Sequence, residues 1–171
     1  LGFLQIRLNL LVTQMPILTE FLLIKTNGNN ELHDLTPYAI DFVTKKQVQN
    51  ACLTVSVVGS TASILSMEFE PGLNKDLPMI LEKLIPVSLE YFHNKKWEDD
   101  NAFAHIRSAL VGNARSFAVY NGEIQIGNWQ QIVLADFDNY FGPKFLHQLN
   151  NHLVFYLLLF LIHFLKLLFF S

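Results

Sequence analysis

Cysteine is nearly absent from this sequence of 171 residues, since Cys52 is the only one. An intrachain disulfide is therefore excluded, and the cysteine content does not require an oxidising compartment. Charged residues are also scarce, at 16% of the chain with a formal net charge of −3. Because Lys and Arg form no cluster, the electrostatic signature of nucleic-acid binding is missing. We therefore expect a cytoplasmic protein with no nucleic-acid partner.

Apolar residues make up 51% of the chain, and their uneven distribution divides it into three parts. Residues 1–14 form an atypical apolar leader in which polar residues interrupt the apolar run and Arg7 is the only charge. No small-residue cleavage site follows, so we do not predict a signal peptide, and Met15 is a plausible start. Residues 15–143 have the composition of one globular domain. Residues 144–171 form a hydrophobic C-terminal tail.

Short apolar runs and helical periodicity alternate within the globular part. Strands are predicted at residues 21–26, 53–58, 116–120, 123–126 and 131–137. Helices are predicted from Pro37 to about Gln49, along the face that carries Leu77, Leu81 and Leu84, and from about Asn101 to Leu110. In the second of these helices we expect Asp76 to be the cap, Pro78 to lie in the first turn and Pro86 to follow the end.

The clearest local signal is Asn121-Gly122, which lies between two apolar segments and predicts the tip of a β-hairpin with a type I′ turn. Helices mixed with antiparallel strands in this way indicate an α+β domain.

Several segments, in the same order and with similar spacing, resemble the YjbQ family, the secondary thiamine-phosphate synthase-like proteins. They cover roughly half of the chain, between about Thr54 and Asp138. The segments are residues 59–62 (Gly-Ser-Thr-Ala), 67–73 (Met-Glu-Phe-Glu-Pro-Gly-Leu), 91–94 (Tyr-Phe-His-Asn), 99–105 (Asp-Asp-Asn-Ala-Phe-Ala-His), 121–122 (Asn-Gly), 127–130 (Gly-Asn-Trp-Gln) and 137–138 (Phe-Asp).

The resemblance implies a YjbQ-like sandwich of mixed or antiparallel strands with flanking helices, assembled as a homotrimer. It also implies a weak thiamine-phosphate synthase activity, which joins a pyrimidine pyrophosphate to a thiazole phosphate. The expected partners are therefore a phosphorylated small-molecule substrate and other copies of the chain.

Two histidines that the family pattern contains are replaced here, by Gly59 and by Phe103. In a helix, Phe103 would point roughly away from His105, so the lost histidine need not have faced the same pocket. The remaining histidines of the pattern are His93 and His105.

The resemblance and these departures together define the candidate site. His93, His105 and Glu68 are the candidate catalytic residues. They are also the candidate ligands of a divalent metal, either zinc or magnesium. A zinc ion needs about three or four protein ligands. The candidate substrate-binding residues are Thr61, Asn101, Trp129 and Gln130. The alternative is a homo-oligomer that keeps the fold and has lost the chemistry.

The tail has its own set of interpretations. Residues 153–170 are apolar except for His163 and Lys166, and a bilayer-spanning helix needs about 17–25 mostly apolar residues. The tail is therefore a membrane anchor, a non-native coding sequence, or a helix packed on the domain or in an oligomer interface. A strand at Leu153–Leu158 is the alternative, since Val154, Phe155 and Tyr156 favour extended structure. Because Leu is a good helix former, we expect the tail to be mostly helical from about His152 and to project from the domain or pack loosely on it.

Overall fold

The structure is a computed structural model, and it describes residues 17–139 and 150–159, the latter by their backbone alone. The elements in chain order are β1 (Ile17–Lys25), β2 (Glu31–Asp34), α1 (Thr36–Lys45), β3 (Asn50–Val58), β4 (Ala62–Met67), α2 (Leu73–Leu84), α3 (Phe92–Trp97), α4 (Ala102–Val111), β5 (Ala114–Tyr120), β6 (Glu123–Ile124), β7 (Gln131–Asp136) and β8 (Asn150–Leu159). The strands form two sheets. The larger has the order β1-β8-β3-β5-β6 and the smaller the order β2-β7-β4. All the pairings described are antiparallel, and the α+β fold class is confirmed.

The two sheets pack face to face around one hydrophobic core. Leu53 and Val55 of β3 meet Ile64 of β4 and Leu134 of β7 in this core, and all four are fully buried. Alternate residues of β3 are buried, as expected for a strand with one face towards the core.

A second core lies on the opposite face of the smaller sheet. There Leu81 of α2 and Phe103 of α4 pack with Ala135 and Phe137 at the end of β7. The molecule therefore has three layers, with the smaller sheet between the larger sheet and the helices. This arrangement brings the start of α4 to the end of β7.

The hairpin prediction at Asn121-Gly122 is confirmed. Tyr120 pairs with Glu123, and both residues of the connecting loop have positive φ, 51° for Asn121 and 81° for Gly122. These angles are those that a type I′ turn requires, and Asn and Gly tolerate them best.

The predicted cap of α2 is wrong, although the helix itself is confirmed. The helix begins at Leu73, and the Glu70 carboxylate accepts hydrogen bonds from the backbone N–H groups of Gly72 and Leu73. Because Glu70 satisfies these N–H groups, the helix begins before Asp76, and Pro78 lies inside it instead of in the first turn.

The prediction that the tail is mostly helical from about His152 and projects from the domain is wrong for residues 152–159, and residues 150–159 form a strand instead. They form β8, which lies between β1 and β3 and pairs with both: Leu157, for example, lies opposite Leu18 on one side and Leu53 on the other. A strand placed between two others gains backbone hydrogen bonds on both sides, and this tertiary pairing overrides the helical propensity of leucine.

The membrane-anchor interpretation concerned residues 153–170, of which 153–159 belong to β8. Residues 160–170, like the leader at 1–14, lie outside the described residues. Within the described ranges, no helix combines the length and the apolar character needed to cross a bilayer. The cytoplasmic location stays a prediction.

Candidate active site

Two histidines from neighbouring helices form one half of the candidate site. His93 lies on α3 and His105 on α4, and their ring centroids are 4.7 Å apart with the planes inclined at 56°. The structure thus brings together within one chain the two histidines that the sequence predicts to share a pocket. Both side chains are half-buried, so they remain within reach of a ligand.

Asp99, which was not among the predicted site residues, lies beside this pair. Its Oδ2 is 3.4 Å from Nε2 of His93, but the two atoms are not aligned as a hydrogen bond. Nε2 of His93 is buried and has no hydrogen-bond partner in the described part of the chain. A small movement of Asp99 would complete a hydrogen bond to this nitrogen, whereas a ligand would reach it only after a neighbouring group had moved.

Asp138 forms the other half of the candidate site, just beyond the end of β7. Thr61 Oγ1 donates to one carboxylate oxygen over 3.3 Å, and Asn101 Nδ2 donates to the other, also over 3.3 Å. Burial raises the pKa of Asp138, and the charge of Asp136 adds to that rise, whereas the bonds from Asn101, Asn139 and Thr61 oppose it. Two predicted substrate-binding residues, Thr61 and Asn101, therefore meet at a carboxylate that the prediction did not include.

Asp136 is the fully buried neighbour of Asp138. It accepts a hydrogen bond from Thr26 Oγ1 over 2.5 Å and another from the backbone N–H of Asp138 over 3.1 Å. The Phe-Asp pair at residues 137–138 was part of the family resemblance, which was the one signal that could have identified Asp138.

The two halves are joined through the start of α4. Asn101 is the residue before α4, and His105 follows one turn later on the same helical face. Asn139, next to Asp138, donates from Nδ2 to the backbone carbonyl of Asp99 over 3.2 Å. The histidine pair and the Asp138 group are therefore parts of one continuous polar region.

Glu68, Trp129 and Gln130 lie elsewhere. In the β4–β7 ladder, Ala62 pairs with Asp136 while Met67 pairs with Gln131, so Glu68 follows the far end of β4. A strand of this length spans roughly 17–20 Å. Gln130 hydrogen-bonds Ser66 at that far end, and both Glu68 and Trp129 are exposed. The structure therefore does not bring these three residues to the Asp138 end of the sheet.

The residues that replace the two missing histidines have different surroundings. Phe103 is buried in the core between α4 and the smaller sheet, where Arg107 lies over its ring at 4.9 Å. Gly59 lies in the β3–β4 connection, and among the described residues no atom beyond its chain neighbours lies within 4 Å of where a Cβ would be. A histidine at position 103 would thus belong to the core, whereas position 59 has room for a larger side chain.

The predicted metal site needs three ligands at one point. Among the residues that the structure describes, no group of three or more His, Cys, Asp or Glu is placed to hold a metal ion. The described residues of one chain thus do not fit a zinc or magnesium site by themselves. A site that combines Glu68 with His93 and His105 stays a prediction, and it would require a second subunit.

Known proteins share both the sequence pattern and the fold. The family profile described as UPF0047 protein YjbQ-like matches residues 20–150. A UPF0047 protein of Methanothermobacter thermautotrophicus is 33% identical over 130 residues, which cover 76% of this chain and 87% of that protein. A second UPF0047 protein, from Methanocaldococcus jannaschii, is 34% identical over 122 residues, 71% of this chain and 83% of that protein.

Solved structures of the same family have a similar fold. The crystal structure of a YbjQ-like protein from Sulfolobus solfataricus has a TM-score of 0.75 and 29% identity, covering 85% of this chain and 99% of that one. A YjbQ/UPF0047 protein from Clostridium acetobutylicum has a TM-score of 0.66 and 25% identity, covering 80% and 97%. The chain belongs to the UPF0047, or YjbQ-like, family.

Proposed function

We propose that this chain is a YjbQ-like transferase of the thiamine-phosphate synthase type, acting on phosphorylated small molecules. The observation that carries the proposal is the His93–His105 pair, with ring centroids 4.7 Å apart, in a polar region that continues to Asp138. Paired imidazoles beside carboxylates are suited to acid–base work near neutral pH.

The reaction needs no oxidant or reductant. A bond forms between the thiazole nitrogen and the methylene carbon of the pyrimidine, while the bond from that carbon to pyrophosphate oxygen breaks. The bonding electron pair leaves with the pyrophosphate. An imidazolium at His93 or His105 would compensate the negative charge that develops there.

The Asp138 group is suited to a different part of the substrate. Its carboxylate accepts hydrogen bonds, and Asn101 and Thr61 hold it in place. Such a group would accept hydrogen bonds from the amino substituent of a pyrimidine. Because the described residues of one chain do not form a metal site, no step is assigned to zinc or magnesium.

The test is product formation from the two phosphorylated substrates, followed as thiamine phosphate by its oxidation to fluorescent thiochrome, with and without magnesium. We expect His93→Gln and His105→Gln to lower turnover by about 100-fold or more, the usual contribution of a general acid or base. His33→Gln is the matched control, because His33 lies on β2 and pairs with Glu31. No product from the unaltered protein, or an equal loss in all three variants, would refute the proposal.

The alternative is a non-catalytic homo-oligomer, which we take to be a trimer as the resemblance implies. It is favoured by the outer face of the larger sheet, where Ile17, Phe21 and Leu23 of β1 are exposed at 64%, 70% and 54%. Apolar side chains exposed together on one face commonly mark an interface. A mass of three times 19.6 kDa by light scattering, with no product formed, would favour this alternative.

An assembly would also give Glu68 a role. If Glu68 of one subunit completes the histidine site of another, mixed oligomers of Glu68→Gln and His105→Gln chains would contain intact sites. We then expect activity to return on mixing two inactive variants. Mixed oligomers that stay inactive, although each partner assembles, would exclude Glu68 from a shared site.

A further inference from the structure

The connection between α3 and α4 has a backbone conformation that its residues disfavour. Glu98 and Asp100 both have left-handed backbone angles, with φ of 57° and 51°, and neither is glycine. Residues other than glycine occupy this region infrequently, and glutamate does so less readily than aspartate, so the surroundings must stabilise the conformation. Asp99, the residue between them, is the one whose carboxylate lies beside His93.

One side chain from outside the connection holds it. Asn139 Nδ2 donates to the backbone carbonyl of Asp100 over 2.7 Å and to that of Asp99 over 3.2 Å. The backbone N–H of Asn139 donates in turn to Asp138 Oδ1 over 2.9 Å. Asn139 therefore ties the connection directly to the carboxylate at the end of β7.

The far end of the connection is held in a matching way. Asn101 occupies the N-cap position of α4, but its side chain makes no capping bond and turns to Asp138. The Asn94 carboxamide instead accepts the N–H of Ala102 over 3.0 Å. Asn101 is thereby free to bind Asp138, and α4 still has a hydrogen-bonded first turn.

We propose that Asn139 is a positioning residue, which holds the Glu98–Asn101 connection so that Asp99 faces His93 while Asn101 faces Asp138. The part of this inference that concerns catalysis rests on the transferase function proposed above. The part that concerns geometry does not, because it depends only on the contacts of Asn139. Asn139 touches no reacting atom in this scheme, and it acts through Asp99 and Asn101.

The test compares Asn139→Ser with Asn113→Ser, since Asn113 is exposed and lies between α4 and β5, away from the Glu98–Asn101 connection. The readouts are the ring ¹⁵N resonances of His93 and the affinity for inorganic pyrophosphate, titrated by NMR. We expect Asn139→Ser to shift the His93 resonances and to weaken pyrophosphate binding by about tenfold, since small displacements of site groups have effects of this order or larger. Asn113→Ser should change neither.

A rescue variant separates positioning from a general structural role. Glycine adopts a left-handed φ without a steric penalty. Adding Asp100→Gly to Asn139→Ser should therefore return the His93 resonances and the affinity towards those of the unaltered protein. If Asn139→Ser does not fold, Asn139→Asp keeps the size of the side chain and removes the same donor.

The outcomes are separable. Unchanged His93 resonances in the Asn139 variant, or no recovery with Asp100→Gly, would overturn the positioning role. If the unaltered protein fails to bind pyrophosphate, the proposed function fails, and the His93 resonances still decide whether Asn139 positions the connection.

Discussion

Arg107 Nη2 donates to Glu82 Oε2 over 2.7 Å, although the Arg107 side chain has no exposure to solvent. The same nitrogen donates to the backbone carbonyl of Ile85, and Nη1 donates to Asn30 Oδ1. One guanidinium thus joins α4, the end of α2 and the β1–β2 turn. A buried cation of this kind is held by several acceptors at once, because one partner would not offset its desolvation.

We predict that Arg107→Met destabilises the protein by about 3 kcal/mol, near the lower end of the range for breaking a buried ion pair because Glu82 is half exposed. Arg115→Met is the control, since within the described residues Arg115 donates to the nearby backbone carbonyls of Val111 and Ala114 and to no carboxylate. Urea unfolding measures the free energy of unfolding of both variants. Equal losses of unfolding free energy in the two variants would show that the buried network stabilises the fold no more than the contacts of Arg115 do.

Glu82 should make stability depend on pH. Burial alone would raise the pKa of Glu82, but hydrogen bonds from Arg107 and from the Val87 N–H outweigh it and hold the pKa below its usual 4.5. A lowered folded-state pKa gives stability that is present above the unfolded value and is lost as pH falls through the folded value. We therefore expect the stability difference between the unaltered protein and Glu82→Gln to be constant above about pH 5.5 and to shrink below pH 4.5. A difference that does not change between pH 6 and pH 3 would contradict this.

The hairpin gives a prediction with a matched control in the same chain. Gly122 has a φ of 81°, whereas Gly59 has no left-handed φ, and none of the described residues beyond its chain neighbours comes within 4 Å of where a Cβ would be. We expect Gly122→Ala to destabilise the protein by about 1–2 kcal/mol, the penalty for a Cβ in the left-handed region. Gly59→Ala should leave thermal unfolding nearly unchanged. A similar shift in melting temperature for both variants would mean that the left-handed φ of Gly122 is not the cause of the destabilisation.

The features that sequence predicts well here are local. Asn121-Gly122 encodes its own turn, the leucines of α2 share one face, and His105 and Phe103 diverge because a helix places them on different sides. Family order then adds what local patterns lack, namely that His93 lies near His105. These are relations between residues that are close in the chain or that recur together.

The features that sequence did not predict depend on contacts between distant segments. The role of Asp138 arises from Thr61 and Asn101, which lie 77 and 37 residues away. Arg107 resembles any helix arginine until the packing of α2 encloses it. Glu68 seemed to belong with the histidines because the resemblance placed them in one pattern, and only the β4–β7 register shows the distance between them.

Asp138 combines a functional position with a cost in stability. Its pKa is raised by burial, and a raised carboxyl pKa means that ionisation at neutral pH disfavours the folded state. We predict that Asp138→Asn raises the melting temperature at pH 7, because the amide can still accept from Asn101 and keeps the same shape. The gain should diminish as pH falls through the raised folded-state pKa and should be lost well below 3.8, where the carboxyl is neutral in both the folded and the unfolded state. Turnover should fall in the same variant, and a lowered melting temperature at pH 7 would contradict the prediction.

β8 predicts the effect of removing the C-terminal part of the chain. β8 is the sheet neighbour of β1 and lies opposite nine of its residues, from Ile17 to Lys25. It also covers the edge of β3 from Ala51 to Val58. Without β8, backbone N–H and C=O groups of two strands would be unpaired, and such edges associate with other chains.

We therefore expect a chain ending at residue 149 to aggregate or to unfold at a much lower temperature, whereas a chain ending at Leu159 keeps the strand. Substitution of Leu157 by proline in the longer chain should resemble the shorter one, because proline in a central strand removes a ladder hydrogen bond. A truncated chain that melts like the one ending at Leu159 would show that β8 is not part of the stable fold.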